Sequence, residues 1–138
     1  MSFFNLLSWN NRGLGRSKKS RALKNLVRSK KIGVLFLQET KLEDFDLRKR
    51  IVVWGYGTEN IIFSPAIGFV RGIACFWDSD FLAMEYNVPH SNYVIIQGGI
   101  VGWNLKCSMI NLYALNVAAD RKLLFDELEG YILANRGQ

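Results

Sequence analysis

Two short apolar runs, each followed by polar side chains, lie on either side of a basic segment. They are residues 6–10 (LLSWN) and residues 34–40 (VLFLQET). Continuous apolar runs are typical of parallel strands that are covered on both faces. A strand, a helix and a second strand predict a right-handed βαβ unit. Such a unit brings Asn10 and Glu39 to one edge of a sheet, which is the edge where open α/β sheets bind ligands.

Periodicity and turn residues divide the rest of the chain into further elements. Ser17 is a good N-cap, and the apolar residues after it recur at helical spacing until Gly33 ends the helix. A short helix is predicted at residues 42–53, and a last helix is predicted at residues 118–134. Strands are predicted at residues 3–9, 33–38, 61–63, 72–77, 81–88, 93–97 and 103–112, the later ones antiparallel. We expect these strands to form one sheet with helices on its outer side.

The composition restricts the class of protein. The chain has 138 residues, of which 49% are hydrophobic, so it is one ordered domain or part of one. It has no run of roughly 20 apolar residues for a membrane span, and its first residues have neither a basic region nor a cleavage site of a signal peptide. We therefore expect an intracellular protein that is not secreted and has no membrane partner. Cys75 and Cys107 lie in apolar runs without C-x-x-C spacing, which favours buried thiols.

The polar residues at the two strand ends suit a magnesium ion. Glu39 offers a hard carboxylate oxygen and Asn10 a neutral carbonyl oxygen, and Mg²⁺ takes only one or two protein carboxylates while it keeps several waters. The residues alone also allow a second interpretation, in which Asn10 caps a turn and Glu39 is a solvated charge.

Four segments resemble the endonuclease/exonuclease/phosphatase superfamily, most of all the endonuclease domain of plant-type non-LTR (LINE) retrotransposons. Residues 7–15 (LSWNNRGLG) and 35–41 (LFLQETK) are similar to its first two motifs. Residues 72–78 (GIACFWD) resemble a strand that ends in Trp-Asp, and residues 110–114 (INLYA) resemble an Asn-Val-Tyr motif. The resemblance implies an α/β fold, the N-terminal half of a four-layer α/β sandwich with a mixed sheet and outer helices.

The resemblance also implies a chemistry. It assigns Asn10 and Glu39 to a Mg²⁺ site, and Glu39 and Tyr113 to catalysis of DNA phosphodiester hydrolysis, as in retrotransposon target-site nicking. Nuclear localisation would follow if chromosomal DNA is the substrate. Tyr113 has a second interpretation, as an aromatic residue at a strand end with a solvated hydroxyl.

The sequence also departs from the family. The Gly-Asp-Phe-Asn and Ser-Asp-His motifs have no counterpart, and the single histidine, His90, lies in a predicted hairpin loop. Activation of water by an Asp/His pair is therefore missing from this chain. We expect residues 1–138 to be a partial domain that is truncated before those motifs and is inactive. Alternatives are a non-catalytic nucleic-acid-binding or interaction module and, with less support, a phosphatase on the same fold.

Positive charge supports DNA as the partner. The net charge is +6, and a basic helix can neutralise backbone phosphates in a sequence-independent way. A solvated outer helix face is the competing interpretation. The residues that we assign to nucleic-acid contact are Arg12, Arg16, Lys18, Lys19, Arg21 and Lys41. Since the predicted helices cover only one face of the sheet, we also expect a homodimer or aggregation through the uncovered face.

Overall fold

The structure is a computed structural model that describes residues 5–10, 17–42, 44, 46–55, 60–65, 72–103 and 105–113, without the side chains of residues 17 and 18. Its elements are β1 (Asn5–Asn10), α1 (Ser17–Ser29), β2 (Ile32–Gln38), α2 (Leu47–Val53), β3 (Ile61–Ser64), β4 (Ile73–Trp77), β5 (Leu82–Pro89), β6 (Tyr93–Ile100) and β7 (Leu105–Leu112). The helix predicted at residues 118–134 lies outside the described residues. Among the described helices, none has the length and apolar character needed to cross a membrane.

The strands form two sheets. The first is mixed and has the order β1-β2-β4-β3, in which β1 and β2 are parallel and the other neighbours are antiparallel. The second is antiparallel and has the order β5-β6-β7. The predicted βαβ unit and the antiparallel later strands are therefore confirmed.

The expectation of a single sheet is wrong. The second sheet packs on the first through an apolar cluster that includes Val34 and Cys75 of the first sheet and Val94 and Ile96 of the second. All four side chains are buried. The sequence pattern shows that these strands need cover on both faces, but it does not show which other strands provide the cover. The dimer is predicted to form through an uncovered face of the sheet, but the second sheet covers most of that face.

The helix face of the first sheet holds a second cluster. Leu23 and Val27 of α1 pack with Leu35 and Leu37 of β2, as the helical spacing of α1 and the period of two along β2 require. Removal of such apolar side chains from water is the main favourable contribution to folding, about 1.5–3 kcal/mol for each. This packing fixes α1 across β2 and so sets the two strand ends that flank it.

The edge strand β1 has one packed face and one exposed face. Leu7 and Trp9 pack in the cluster under the helices, whereas Leu6, Ser8 and Asn10 point to the other side and are exposed. Leu6 is 60% exposed although it is a large apolar residue. Among the described residues, the face of β1 that carries Asn10 is therefore a part of the first sheet that no other element covers.

Candidate metal and nucleic-acid site

The parallel register of β1 and β2 brings Asn10 and Glu39 to the same edge of the first sheet. Asn10 is the partner of Gln38 in this register, and Glu39 is the next residue after Gln38. Asn10 is exposed, and Glu39 is half-buried. The two residues that the sequence assigns to a metal site thus lie at neighbouring strand ends.

The backbone after β2 is unusual at the candidate site. Glu39 has φ 54° and Lys41 has φ 56°, both in the left-handed region that non-glycine residues rarely adopt. Thr40 lies between them and is buried; its amide N–H donates to the Gly72 carbonyl at 3.0 Å, and its hydroxyl oxygen accepts from the Leu42 amide at 3.3 Å. Such conformations cost about 1–3 kcal/mol each and persist only when the surroundings impose them. The contacts of Thr40 impose this one and so set the direction in which Glu39 leaves the strand.

Tyr113 lies at the same end of the molecule, just after β7. Its amide N–H donates to the Asn92 carbonyl at 2.8 Å, and its side chain packs against the cluster between the two sheets. Asn111, two residues earlier, accepts a hydrogen bond of 2.7 Å from Gln38. The end of β7 therefore lies beside the end of β2, and the structure brings Tyr113 to the edge that carries Asn10 and Glu39.

A buried polar network, which the sequence analysis missed, lies directly behind these residues. The Nδ2 atom of Asn111 donates to the carbonyl oxygens of Leu37 at 3.2 Å and Ala74 at 2.9 Å, and to the Cys75 sulfur at 3.4 Å. Gln38 joins this network through Asn111 Oδ1. The signal in the sequence is the period of two along β7, because Asn111 falls on the same face as the inward residues Cys107 and Met109.

The two thiols have no place in the chemistry of the site. Burial raises the pKa of Cys75 to about 12, and the hydrogen bond from Asn111 lowers it only in part. Burial also raises the pKa of Cys107. Both cysteines are free, Cys75 buried and Cys107 half-buried, which confirms the prediction of a buried thiol for Cys75. Because the reactive form of cysteine is the thiolate, neither is a good nucleophile near neutral pH.

His90 is held in the hairpin between β5 and β6. It stacks on Tyr93 with ring centroids 4.2 Å apart, and its Nδ1 atom accepts from the Asn92 amide at 3.1 Å. Tyr93 packs with Ile95 on the face of the second sheet that points away from the first, whereas Tyr113 lies on the face between the sheets. His90 is half-buried rather than on the surface, and it lies on the opposite face of the sheet from the candidate site.

The donor set at the edge fits a cation that needs few protein ligands. Among the described residues, no group of three or more His, Cys, Asp or Glu side chains is arranged to hold a metal. Glu39 supplies one carboxylate and Asn10 one amide oxygen, which are hard oxygen donors. Mg²⁺ accepts such a set because waters and substrate phosphate complete its octahedron. A zinc site takes three or four protein ligands, mostly histidine and cysteine, and the described residues at this edge do not supply them.

Three of the six residues assigned to nucleic-acid contact have described side chains. Lys19 and Arg21 are exposed on α1, and Lys41 is exposed two residues after Glu39. Arg12 and Arg16 lie outside the described residues, as does the side chain of Lys18. The structure therefore places one of the assigned cations, Lys41, at the edge that carries Glu39.

The fold of this chain is similar to that of two solved proteins. AP endonuclease LMAP from Leishmania major superposes with a TM-score of 0.57 at 18% identity, over 84% of this chain and 42% of that chain. The Xenopus laevis APE2 catalytic domain superposes with a TM-score of 0.58 at 20% identity, over 85% of this chain and 48% of that chain. This chain has half of the endonuclease/exonuclease/phosphatase fold.

That fold assignment confirms the predicted fold class. The chain spans less than half the length of either solved protein. No protein-family model matches the chain, and no curated protein matches it. The retrotransposon type, the metal and the roles of single residues are therefore matters for proposal.

Proposed function

We propose that this chain provides the metal-binding part of a Mg²⁺-dependent DNA phosphodiesterase of the retrotransposon endonuclease type. The observation that carries the proposal is the register of β1 and β2. It pairs Asn10 with Gln38, which is the residue before Glu39. The endonuclease fold of the solved neighbours supports DNA as the substrate. If chromosomal DNA is that substrate, the protein acts in the nucleus.

Each side chain at the edge has a part in this chemistry. Glu39 and Asn10 would hold Mg²⁺, and the ion would supply positive charge against the phosphoryl oxygens and the leaving oxygen. The Tyr113 hydroxyl donates a hydrogen bond to a phosphoryl oxygen on which negative charge develops. Lys41, exposed next to this edge, binds a backbone phosphate and so orients the strand.

Hydrolysis also needs a base that activates water, and His90 does not provide it. His90 lies on the far face of the second sheet, and its Nδ1 atom accepts a backbone N–H. We therefore propose that residues 1–138, taken alone, bind Mg²⁺ and DNA but do not cleave DNA.

The first experiment measures Mg²⁺ binding to the ¹⁵N-labelled chain by NMR. We expect Mg²⁺-dependent shifts of the Glu39 amide and the Asn10 side-chain amide, and their loss in Glu39→Gln. The matched control is Glu85→Gln, since Glu85 is exposed on β5 and pairs with Lys106 at 3.4 Å. Equal Mg²⁺ affinity of the wild type and Glu39→Gln would remove Glu39 from the site.

The second experiment tests activity on supercoiled plasmid. The chain with Mg²⁺ should nick the plasmid no faster than the same chain with EDTA. Mg²⁺-dependent nicking that disappears in Glu39→Ala would show an active enzyme and overturn the proposed inactivity.

A second candidate function is a nucleic-acid-binding or interaction module without catalysis. The net charge of +6 and the exposed Lys19 and Arg21 on α1 favour it. The two functions differ in their response to metal. A module binds DNA equally with Mg²⁺ and EDTA and is insensitive to Glu39→Gln, whereas binding through the metal site falls in EDTA.

We also propose that the chain self-associates, through a smaller surface than the sequence predicts. The exposed face of β1, with Leu6 at 60% exposure, is the surface through which two copies would meet. Sedimentation at micromolar concentration tests the self-association. The wild type should be a dimer and Leu6→Lys a monomer. A monomeric wild type would contradict the proposal.

A further inference from the structure

The hydrogen bonds behind the site form a chain that links three strands. Gln38 Nε2 donates to Ser8 Oγ at 2.9 Å and to Asn111 Oδ1 at 2.7 Å. Ser8 is on β1, Gln38 on β2 and Asn111 on β7, so the chain spans both sheets. We name these three residues the amide relay.

The relay has a fixed direction because of the backbone groups at its buried end. The carbonyl oxygens of Leu37 and Ala74 only accept hydrogen bonds, so the Asn111 amide must turn Nδ2 towards them. Its Oδ1 atom then faces Gln38, and Gln38 must present its own donor, Nε2. The second hydrogen on that nitrogen goes to Ser8 Oγ. One orientation of the two amides thus accounts for the bonds to both carbonyls, to Asn111 Oδ1 and to Ser8 Oγ.

Each member of the relay lies within two residues of a candidate site residue in the sequence. Ser8 is two residues before Asn10, Gln38 is one before Glu39, and Asn111 is two before Tyr113. A hydrogen bond fixes its two partners to within a few tenths of an ångström. The relay therefore sets the spacing among the three strand ends that carry the proposed site.

We infer that Ser8, Gln38 and Asn111 are positioning residues that hold Asn10, Glu39 and Tyr113 at the spacing needed for metal and phosphate binding. The inference rests on the proposed function for its consequence in Mg²⁺ affinity, but not for its geometry. Groups that orient metal ligands affect affinity about 10–100-fold when they are lost. Asn111 is buried in the core, so the test uses Ser8, which is exposed, and Gln38, which is half-buried.

The experiment uses Gln38→Met, which keeps the length of the side chain and removes the hydrogen bonds, and Ser8→Ala. Gln97→Met is the matched control, since Gln97 is half-buried on β6 and lies opposite Ser108 in the register. Ser8→Thr is the conservative variant, because it keeps the hydroxyl on a residue that strands accept. Urea unfolding verifies that each variant is folded under the conditions of the titration.

Mg²⁺ titrations followed by NMR give the expected pattern. Gln38→Met should weaken Mg²⁺ binding about tenfold, Ser8→Ala should weaken it, and Ser8→Thr and Gln97→Met should keep the wild-type affinity. The double variant Ser8→Ala/Gln38→Met should bind no more weakly than Gln38→Met alone, since both bonds come from one amide. A loss of affinity that merely follows loss of stability would lack the threonine rescue and this non-additivity.

Failure of the inference and failure of the proposed function have different signatures. If the wild type binds Mg²⁺ and Gln38→Met binds it equally well, the amide relay does not position the site. If the wild type shows no Mg²⁺-dependent shift at Asn10 or Glu39, the metal site is wrong, and metal-free spectra decide the inference. In the metal-free spectra, Gln38→Met should shift the signals of Asn10, Glu39 and Tyr113, whereas Gln97→Met should not. Shifts confined to the sequence neighbours of Gln38 would overturn the inference.

Discussion

Gly72 lies against Thr40 so closely that a Cβ atom on Gly72 would clash with the Thr40 hydroxyl and lie 2.9 Å from the Lys41 amide nitrogen. Its φ of 91° is also in the region that favours glycine. The contact is made with the segment that begins at Glu39, so the strand after Gly72 and the candidate site are packed as one unit.

Gly72→Ala should therefore destabilise the protein by about 3 kcal/mol or more, because it adds a backbone clash to an unfavourable φ. Gly102→Ala is the control, since Gly102 has φ 83° but a Cβ atom there would meet nothing within 4 Å. We expect the control to lose about 1 kcal/mol from conformation alone. Urea unfolding measures both, and equal losses would mean that Thr40 yields to the added methyl group.

Asn111→Leu should destabilise the protein by about 2–4 kcal/mol. The change removes the donor of the hydrogen bonds to the Leu37 and Ala74 carbonyls, which lie in the buried interior. The same change at exposed Asn87 on β5 should fall within about 0.5 kcal/mol of the wild type. Chemical denaturation provides the measurement. A cost at Asn111 as small as that at Asn87 would show that the buried bonds add little to stability.

Cys75 should make stability depend on pH in the alkaline range. Its pKa is raised from 9.0 to about 12 by burial in the folded protein, so the unfolded chain loses the thiol proton first. The contribution of Cys75 to the free energy of unfolding is therefore fully present below pH 9. It is lost as the pH rises from 9 towards 12, by up to about 1.4 kcal/mol per pH unit. Cys75→Ala should show a flatter slope between pH 9 and 10.5 in urea unfolding. Identical slopes would contradict burial of the thiol.

Local elements could be predicted from the sequence because their signals are local. The strand at Ile32–Gln38 and the helix at Ser17–Ser29 follow from an apolar run and a helical stripe. The short helix begins at Leu47 rather than near residue 42, because the Asp46 side chain caps it by accepting from the Lys49 amide at 2.9 Å. Capping by aspartate is recognisable in a sequence, but several acidic residues precede this helix.

The pairing of distant residues could not be predicted. Gln38 and Asn111 are 73 positions apart, and their contact depends on how the second sheet stacks on the first. Apolar periodicity gives the buried face of a strand but not its partner. The strand-end positions of Asn10 and Glu39 could be predicted from the apolar runs, whereas the proposed role of Tyr113 rests on family resemblance alone, because an aromatic residue after a strand has many uses.

The basic helix should bind duplex DNA through its charges. Arg21→Gln removes an exposed cation of α1 and, if it contacts a phosphate, should lower the slope of log K against log salt by about 1 with little dependence on DNA sequence. Lys106→Gln is the control, since Lys106 is exposed on β7 of the second sheet and pairs with Glu85. Fluorescence anisotropy measures both slopes at salt concentrations from about 50 to about 200 mM. Equal slopes for Arg21→Gln, Lys106→Gln and the wild type would mean that α1 is a solvated outer face, and that any DNA contact lies at another surface of the chain.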